Sequence, residues 1–503
     1  MVTITELPAE ILHGILIAFC KQDGTFWPPS QHIKRTLRLK LVCKRFRQAL
    51  QPALFESRIL GNWGQGYGRL FPWPMERHRY GADEFWHAYL VYRIRSDKTG
   101  GRFVAVRRIV ENFCAETGMD EGACLETVGW LVLGGGGGRP TYRMAWRPGR
   151  QWSECEGETE LRLESNLLSL AAYFNQFPVS KRLLAQGYCP VTNCGLFLTP
   201  MECAAMAGNT EMLLLFQEHL PEFEGRDDDI TGADGYRSKM HASGLVGAAA
   251  RGDLELVKLA LYPPSRANPN STDVLGQPFG QIDPESVAGS AIISAIESTQ
   301  NWEVVQYLAA AFAERPERSY TLANSMWAFV RTGNLEIIQK LTTLDGGDSE
   351  IKKYASHHLI SSVRKLHDDL VDFFLDQGVD PSGGHAYYSD DVGIERNTIE
   401  AAAATGSLSM LKKLLARGAR VDKGHILGWA AAFTNAVERE HMDMVRFLLT
   451  LRTPSRRWQK KLLGEKAGRY IENIDTLDSM RSFLNETWGE KPGESSSERP
   501  DEG

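Results

Sequence analysis

Thr199-Pro200-Met201-Glu202-Cys203-Ala204-Ala205-Met206-Ala207-Gly208-Asn209-Thr210-Glu211-Met212-Leu213 aligns without a gap on Asn397-Thr398-Ile399-Glu400-Ala401-Ala402-Ala403-Ala404-Thr405-Gly406-Ser407-Leu408-Ser409-Met410-Leu411. The same frame fits Ser243 to Val257, which holds Ala248-Ala249 and Gly252-Asp253-Leu254-Glu255-Leu256-Val257. It fits again at Asn324 to Ile338, which ends Gly333-Asn334-Leu335-Glu336-Ile337-Ile338. Anchoring looser copies on the glycine position marks Asn175, Gly208, Gly252, Gln300, Gly333, Leu366, Gly406 and Glu440. The intervals are 33, 44, 48, 33, 33, 40 and 34 residues, and Asp475 starts a ninth, degraded copy.

The frame has a physical reading. Small-residue pairs precede the anchor: Ala171-Ala172, Ala204-Ala205, Ala248-Ala249 and Ala402-Ala403. Small side chains let a first helix lie close against its neighbours. Four and five residues past the anchor stand apolar pairs such as Met212-Leu213, Leu256-Val257, Val304-Val305, Ile337-Ile338, Leu370-Val371, Met410-Leu411 and Met444-Val445. Three residues beyond the second member comes Phe216, Ala260, Leu308, Leu341, Phe374, Leu414 or Leu448. That spacing is the buried stripe of a second helix. Glycine suits the turn between the helices because it admits positive φ, and Gly252 and Gly333 are expected there in that conformation. The fold class is all-α, with paired helices over residues 166–484 and no sheet core.

A period near ~33 residues, stretched where loops are inserted, resembles the ankyrin-repeat family. Thr199-Pro200-Met201-Glu202-Cys203-Ala204 stands close to the family's Thr-Pro-Leu-His-x-Ala, with Glu in place of His. Loops at Pro221–Tyr236, Pro263–Asp283 and Gly383–Asp391 account for the long intervals. The resemblance implies a solenoid that binds a protein through its variable surface.

The N-terminus carries a second pattern. Leu7-Pro8-Ala9-Glu10-Ile11-Leu12 opens an amphipathic helix, with Pro8 suited to a first turn and Ile11, Leu12, Ile15, Leu16 and Phe19 at helical spacing. After a polar loop, Lys21 to Ser30, a second helix is expected through Leu37, Leu39, Leu41, Val42, Cys43 and Phe46, with Leu50 and Leu54 beyond. The Leu-Pro opening and Leu39-Lys40-Leu41-Val42-Cys43-Lys44-Arg45-Phe46 resemble an F-box, a three-helix module, although the loop is several residues longer than the family's usual one. The resemblance implies docking on the Skp-type adaptor of a cullin–RING ubiquitin ligase through Leu7, Pro8, Ile11, Ile15, Leu39, Val42 and Cys43.

Lys34, Arg35, Arg38, Lys40, Lys44, Arg45 and Arg47 lie within this stretch without an acid. Nucleic-acid binding is one reading. A solvated helix face, or one turned to an acidic partner, is the preferred one, because the charges interleave with core positions. The whole chain, with 57 basic and 63 acidic residues and net charge −6, is no polyanion binder.

Residues 61–160 read as a helical linker, with helices near Asp83–Ile94, Phe103–Thr117 and Asp120–Leu133, and Asp120 as an N-cap. Gly134–Gly138 is read as a flexible connector, since no Gly-Lys-Ser/Thr follows to make a phosphate loop. The domain organisation is thus an F-box-like module over 1–60, the linker over 61–160, about eight degenerate repeats over 161–452, a capping repeat over 453–488 and a disordered tail over 489–503.

No catalytic constellation emerges, and an enzyme is not expected. His357-His358 and His367 near Asp368-Asp369 are read as surface histidines. The eight cysteines are scattered without a C-x-x-C, which fits reduced thiols in the cytoplasm or nucleus and gives no zinc cluster. No cofactor, metal or nucleic acid is expected. No apolar run of about eighteen residues appears, so no membrane span is expected. The leading function is a substrate-receptor subunit of an SCF-type ligase, with adaptor and cullin as partners. Two others stay open: an ankyrin scaffold without a ligase connection, and a membrane- or nucleic-acid-associated regulator using the basic stretch.

Overall fold

The computed structural model describes residues 7–21, 43–57, 82–98, 102–133, 160–192, 196–219, 243–261, 280, 282–283, 287–312, 326–343, 347–383, 397–421, 428–439, 441–452, 482–484 and 486–487. Every regular element among them is a helix, and one isolated bridge pairs Ile282 with Phe312. The described chain forms two compact units, one ending at Lys353 and one beginning at Tyr354.

The first unit opens with α1 (Ala9–Lys21), α2 (Lys44–Glu56), α3 (Ala82–Ser96), α4 (Arg102–Thr117) and α5 (Glu121–Leu133). Asp120 caps α5, its carboxylate accepting the Ala123 N–H at 2.8 Å, as its place before the helix led us to expect. Helix pairs follow: α6 (Glu160–Tyr173) with α7 (Phe177–Ala185), α8 (Pro200–Ala207) with α9 (Thr210–Glu218), α10 (Ser243–Arg251) with α11 (Leu254–Leu261), and α12 (Val287–Ile296) with α13 (Trp302–Ala310). Then α14 (residues 326–332) pairs with α15 (Leu335–Thr342). The first helices stack in series, α6 on α8, α8 on α10 and α10 on α12, while α4 packs on α6 at the head of the series.

The second unit takes up the chain within α16 (Gly347–Lys365), which leads into α17 (Asp368–Asp376). Two more pairs follow: α18 (Thr398–Thr405) with α19 (Leu408–Ala416), and α20 (Gly428–Glu438) with α21 (Met442–Leu451). Here α18 packs on α20.

All seven of the anchors that are described fall in the turns between paired helices. Gly208, Gly252, Gly333 and Gly406 have φ of +81°, +76°, +80° and +72°. Among the described residues only Asn175 and Leu366 combine a side chain with positive φ, each at +57°, and both are anchors that lack glycine. A leucine there strains the backbone, so the turn geometry is imposed by the pairing rather than by the residue. Gln300 is the exception. It has no positive φ, and the turn lengthens to 297–301 before α13 begins. Glu440 and the ninth copy at Asp475 lie outside the described residues.

The apolar stripe is the core. Met212, Leu213, Phe216, Val304, Val305, Leu308, Leu370, Val371, Phe374, Leu411, Leu414, Val445 and Leu448 are all fully buried. Each such side chain contributes about 1.5–3 kcal/mol of transfer free energy. The alanine pairs 171–172, 204–205, 248–249 and 402–403 are buried too. Their smallness has a use, because α10 runs so close to α8 that a β-carbon on Gly247 would stand 2.5 Å from the Glu202 carbonyl oxygen.

Glu202 and Glu400 sit in the first turns of helices capped by Thr199 and Asn397. Thr199 Oγ1 accepts from the Glu202 N–H at 3.2 Å, and Asn397 Oδ1 from the Glu400 N–H at 2.8 Å. Both glutamates stand at the third helical position, where a carboxylate favours a helix start.

Two expectations need correcting. The second N-terminal helix does not run unbroken through Cys43, which has extended φ and ψ of −161° and 168° and whose sulfur accepts from the Phe46 N–H at the start of α2, while the part of the expectation over Leu37 to Val42 lies outside the described residues. A side-chain acceptor at that point caps the first turn of α2. His358 is not a surface histidine. It is buried beneath α17, its ring parallel to Phe374 at 6.0 Å, and burial pushes its imidazole down to about 3. The expectations for Gly134–Gly138, for most of the inserted loops and for the tail after 488 lie outside the described residues. Of the expected capping repeat, residues 482–484 and 486–487 are described and helical, with Leu484 buried and Arg446 over the Phe483 ring at 5.3 Å.

Candidate protein-docking surface

α1 is apolar nearly all round, which in water demands cover on more than one side. One side is covered by its own chain. Leu12, Leu16 and Cys20 are buried against Phe46, Leu50, Ala53, Leu54 and Phe55 of α2 and Tyr89 of α3. Burial pushes the Cys20 thiol up to about 11, against a weaker hydrogen bond to Ser57, so this sulfur is inert packing. His13 Nε2 meets Glu56 Oε2 at 2.9 Å and ties the helix to the far end of α2.

The other side is open. Pro8, Ile11, Gly14, Ile15 and Ala18 are exposed, with Ile11 at 53% and Ile15 at 41% of full exposure. These positions run at three- and four-residue steps, so they form one continuous strip along the helix. Ile11 and Ile15 are two of the five large hydrophobic side chains exposed among the described residues, and they sit side by side.

Of the expected adaptor-contact residues, Pro8, Ile11 and Ile15 are therefore together on one surface. Leu7 is half-buried at the head of the strip, and its carbonyl accepts a hydrogen bond from the Arg45 guanidinium. Cys43 is half-buried at the N-cap of α2. Leu39 and Val42 lie outside the described residues. Lys44, Arg45 and Arg47 are exposed in the opening turns of α2, and the first turn contains no acid.

A second concave feature was not foreseen. A cavity of about 430 Å³ opens beside Phe55, between α3 and α5, with His87, Tyr92, Arg95 and Glu126 on its walls. His87 stacks on Trp130 at 4.3 Å and is hydrogen-bonded to the Glu126 carbonyl at 2.7 Å, while Arg95 pairs with the Glu126 carboxylate at 3.1 Å. No periodic signal marked these residues, because they meet only once α3 and α5 pack. The polar groups here satisfy one another, and the arrangement is that of a packed interface.

Among the described residues no group of three or more His, Cys, Asp or Glu could hold a metal, and no helix is long and apolar enough to cross a membrane. No protein-family model matches the chain, and no curated protein matches it.

Proposed function

We propose that this chain is a substrate-receptor subunit of an SCF-type cullin–RING ubiquitin ligase. The N-terminal helices dock a Skp-type adaptor, and an ankyrin-like array of helix pairs holds a target protein. The observation that carries the reading is the exposed strip Pro8–Ile11–Ile15–Ala18 on a helix whose opposite side is already core. Two exposed isoleucines on a short helix lose free energy to water and recover it only when a partner covers them. Such a receptor makes and breaks no bonds. It raises the local concentration of target lysines near the transferase.

The test is a pull-down of the full chain with a purified Skp-type adaptor, paired with circular dichroism. Ile11→Asp with Ile15→Asp abolishes binding and leaves the melting curve intact, since neither side chain is core. A parent protein that retains no adaptor rules the reading out.

One observation favours a scaffold without a ligase connection. Phe55 of α2 lies among Phe85, Tyr89 and Tyr92 of α3 at 5.4, 5.3 and 5.6 Å, so the N-terminal pair is locked to the helices that follow. In that reading α1 and α2 merely cap the helical stack. Co-purification separates the two: adaptor and cullin in the first case, other partners only in the second.

A further inference from the structure

We infer that Cys114 and Cys124 are a redox pair, in which a hydroperoxide oxidises Cys114 and Cys124 closes the product to a disulfide that pins α4 to α5. The pair stands apart from the proposed docking role of α1. It lies on the hairpin whose first helix packs on α6 at the head of the stack.

The chain turns back on itself between the two cysteines. Helix α4 ends at Thr117 and α5 starts at Glu121, so residues 118–120 make the return. Gly118 takes the bend at φ of +72°. Cys114 lies one turn before it, its carbonyl accepting the Gly118 N–H at 2.8 Å. Cys124 lies one turn after it, its N–H donating to the Asp120 carbonyl at 3.0 Å. Thr117 Oγ1 donates to the Phe113 carbonyl at 2.7 Å and fixes the end of α4. Equal offsets from the bend set the two side chains opposite each other, and the Cys124 thiol donates a hydrogen bond to the Cys114 sulfur. Other thiols have other company: Cys43 accepts from the Phe46 N–H, Cys203 donates to the Leu198 carbonyl, and Cys20 meets the Ser57 hydroxyl.

The two sulfurs differ in access. Cys124 is fully buried, whereas Cys114 is half-buried and within reach of a small solute. The Cys114 thiolate attacks the hydroperoxide, an S–O bond forms, the O–O bond breaks, and a sulfenic acid is left. The Cys124 sulfur then attacks the Cys114 sulfur. The S–S bond forms and the S–O bond breaks, its oxygen leaving as water. Two thiols thereby give up two electrons and two protons. The O–O bond takes the electrons, and the protons end in one water and one alcohol, or in two waters where the oxidant is hydrogen peroxide. A resolving thiol already in contact outruns a second oxidation of the sulfenic acid.

The surroundings make the first step slow. Burial pushes the Cys114 thiol up, the hydrogen bond from Cys124 pulls it partly back, and the Glu121 and Asp120 carboxylates push it up again. Burial pushes Cys124 up as well, and Cys114 adds to that. On α4 the Glu116 carboxylate is neutralised by Arg182 of α7 at 2.8 Å. Thiolate is therefore scarce at neutral pH, and the thiolate is the nucleophile. Such a pair ignores brief exposure to oxidant and records a sustained one.

The experiment treats the full chain with hydrogen peroxide and weighs the tryptic peptide that holds both cysteines, since no Lys or Arg lies between residues 114 and 124. The parent's peptide loses the mass of two hydrogens and regains it with dithiothreitol. The rate rises by about ten-fold per pH unit between about pH 7 and about pH 8.5, as the thiolate fraction does below the thiol's pKa. Cys124→Ser leaves Cys114 as a sulfenic acid that a cyclic 1,3-diketone traps. Cys114→Ser leaves Cys124 unmodified, because the oxidant does not reach it. The closed parent melts above the reduced parent, since a cross-link restricts the unfolded chain. A parent peptide that keeps its mass, a rate indifferent to pH, or Cys124 oxidised as fast in Cys114→Ser as in the parent overturns the pair. Closure that occurs only in urea, or a closed form that melts below the reduced one, overturns it too, for then the native hairpin does not hold the sulfurs in bonding register.

Discussion

The His441 imidazole lies against the α-carbon of Gly406, one repeat earlier, so closely that a β-carbon on Gly406 would stand 2.6 Å from its Nδ1. The same ring reaches the Ala404 carbonyl through Nε2 at 3.3 Å. The arrangement recurs. A β-carbon on Gly208 would stand 2.5 Å from the Arg251 guanidinium, whose Nη1 donates to the Ala207 carbonyl at 3.2 Å. Asn301 Nδ2 donates to the Gly252 carbonyl at 2.8 Å, and Asn209 Nδ2 to the carbonyls of Ala172 and Tyr173 at 2.8 and 2.9 Å. Four of the turns, at Asn175, Gly208, Gly252 and Gly406, are lapped in this way by a polar side chain of the next pair, which occupies carbonyls that a helix end leaves open.

Gly406→Ala meets two penalties, the left-handed backbone at φ +72° and the collision with His441. The backbone alone costs roughly 1–2 kcal/mol, and overpacking adds about 1–3 kcal/mol. Gly187→Ala is the control, at φ +89° with nothing near the added carbon, and shows the backbone penalty only. Adding His441→Ala to Gly406→Ala recovers part of the loss. Urea melts of the parent, the control, the two single variants and the double check this; additive effects of the two substitutions would deny the contact.

Gly247→Ala tests the close approach of α10 to α8. The added carbon meets the backbone oxygen of Glu202 rather than a flexible side chain. The helices must separate, at a cost of about 1–3 kcal/mol. By helix propensity alone alanine would gain about 1 kcal/mol, so the sign of the change in melting temperature decides between the two.

Leu366→Gly is expected to stabilise by about 0.5–1 kcal/mol, because relief of the left-handed penalty exceeds the entropy that glycine adds to the unfolded chain. The residue is part-buried at φ +57°. A loss of stability on chemical denaturation would mean that the leucine's packing outweighs its strain.

His358 makes the protein sensitive to mild acid. Its folded-state value of about 3 lies below the ordinary 6.5, through burial and then the neighbouring His357 charge. Above pH 6.5 both folded and unfolded states hold it neutral, and it contributes no pH dependence. Below 6.5 the unfolded chain takes up a proton that the folded one refuses, so stability falls until about pH 3. The loss at pH 5 is about 2 kcal/mol. His358→Leu removes that slope between pH 7 and 5, as read by thermal melts across the range.

The frame of the repeats was legible because period and burial obey the same spacing. Even Asn175 and Leu366 were found as anchors without the glycine, since their neighbours fixed the register. The start of α2 was not legible. Leu37 to Phe46 reads as one apolar pattern, with nothing in it to mark Cys43 as the extended N-cap of α2. Nor could the pattern divide α1 into core and surface. Ile11 and Leu12, or Ile15 and Leu16, are equivalent by hydrophobicity, and only the packing of Phe46 and Leu50 against Leu12 and Leu16 decides which member faces water. His358 was misplaced for a related reason: of two adjacent histidines on a helix, neither carries a sign of which one is buried.

The lapped turns have a direction. In every case the donor belongs to the later pair and the carbonyl to the earlier one: Asn209 to Ala172, Arg251 to Ala207, Asn301 to Gly252, Arg439 to Ala404. At these turns the cover is laid like roof tiles, with the open edge at the C-terminal side. A chain emerging from the ribosome presents the acceptor first and its cover about a repeat later, so synthesis and closure run the same way. Wear runs the other way: cutting from the C-terminal end strips cover from carbonyls that stay behind, while cutting from the N-terminal end removes acceptor and donor's purpose together. Nested truncations from the two ends of either unit are therefore unequal, and the array has a grain that its near-symmetric helix pairs conceal.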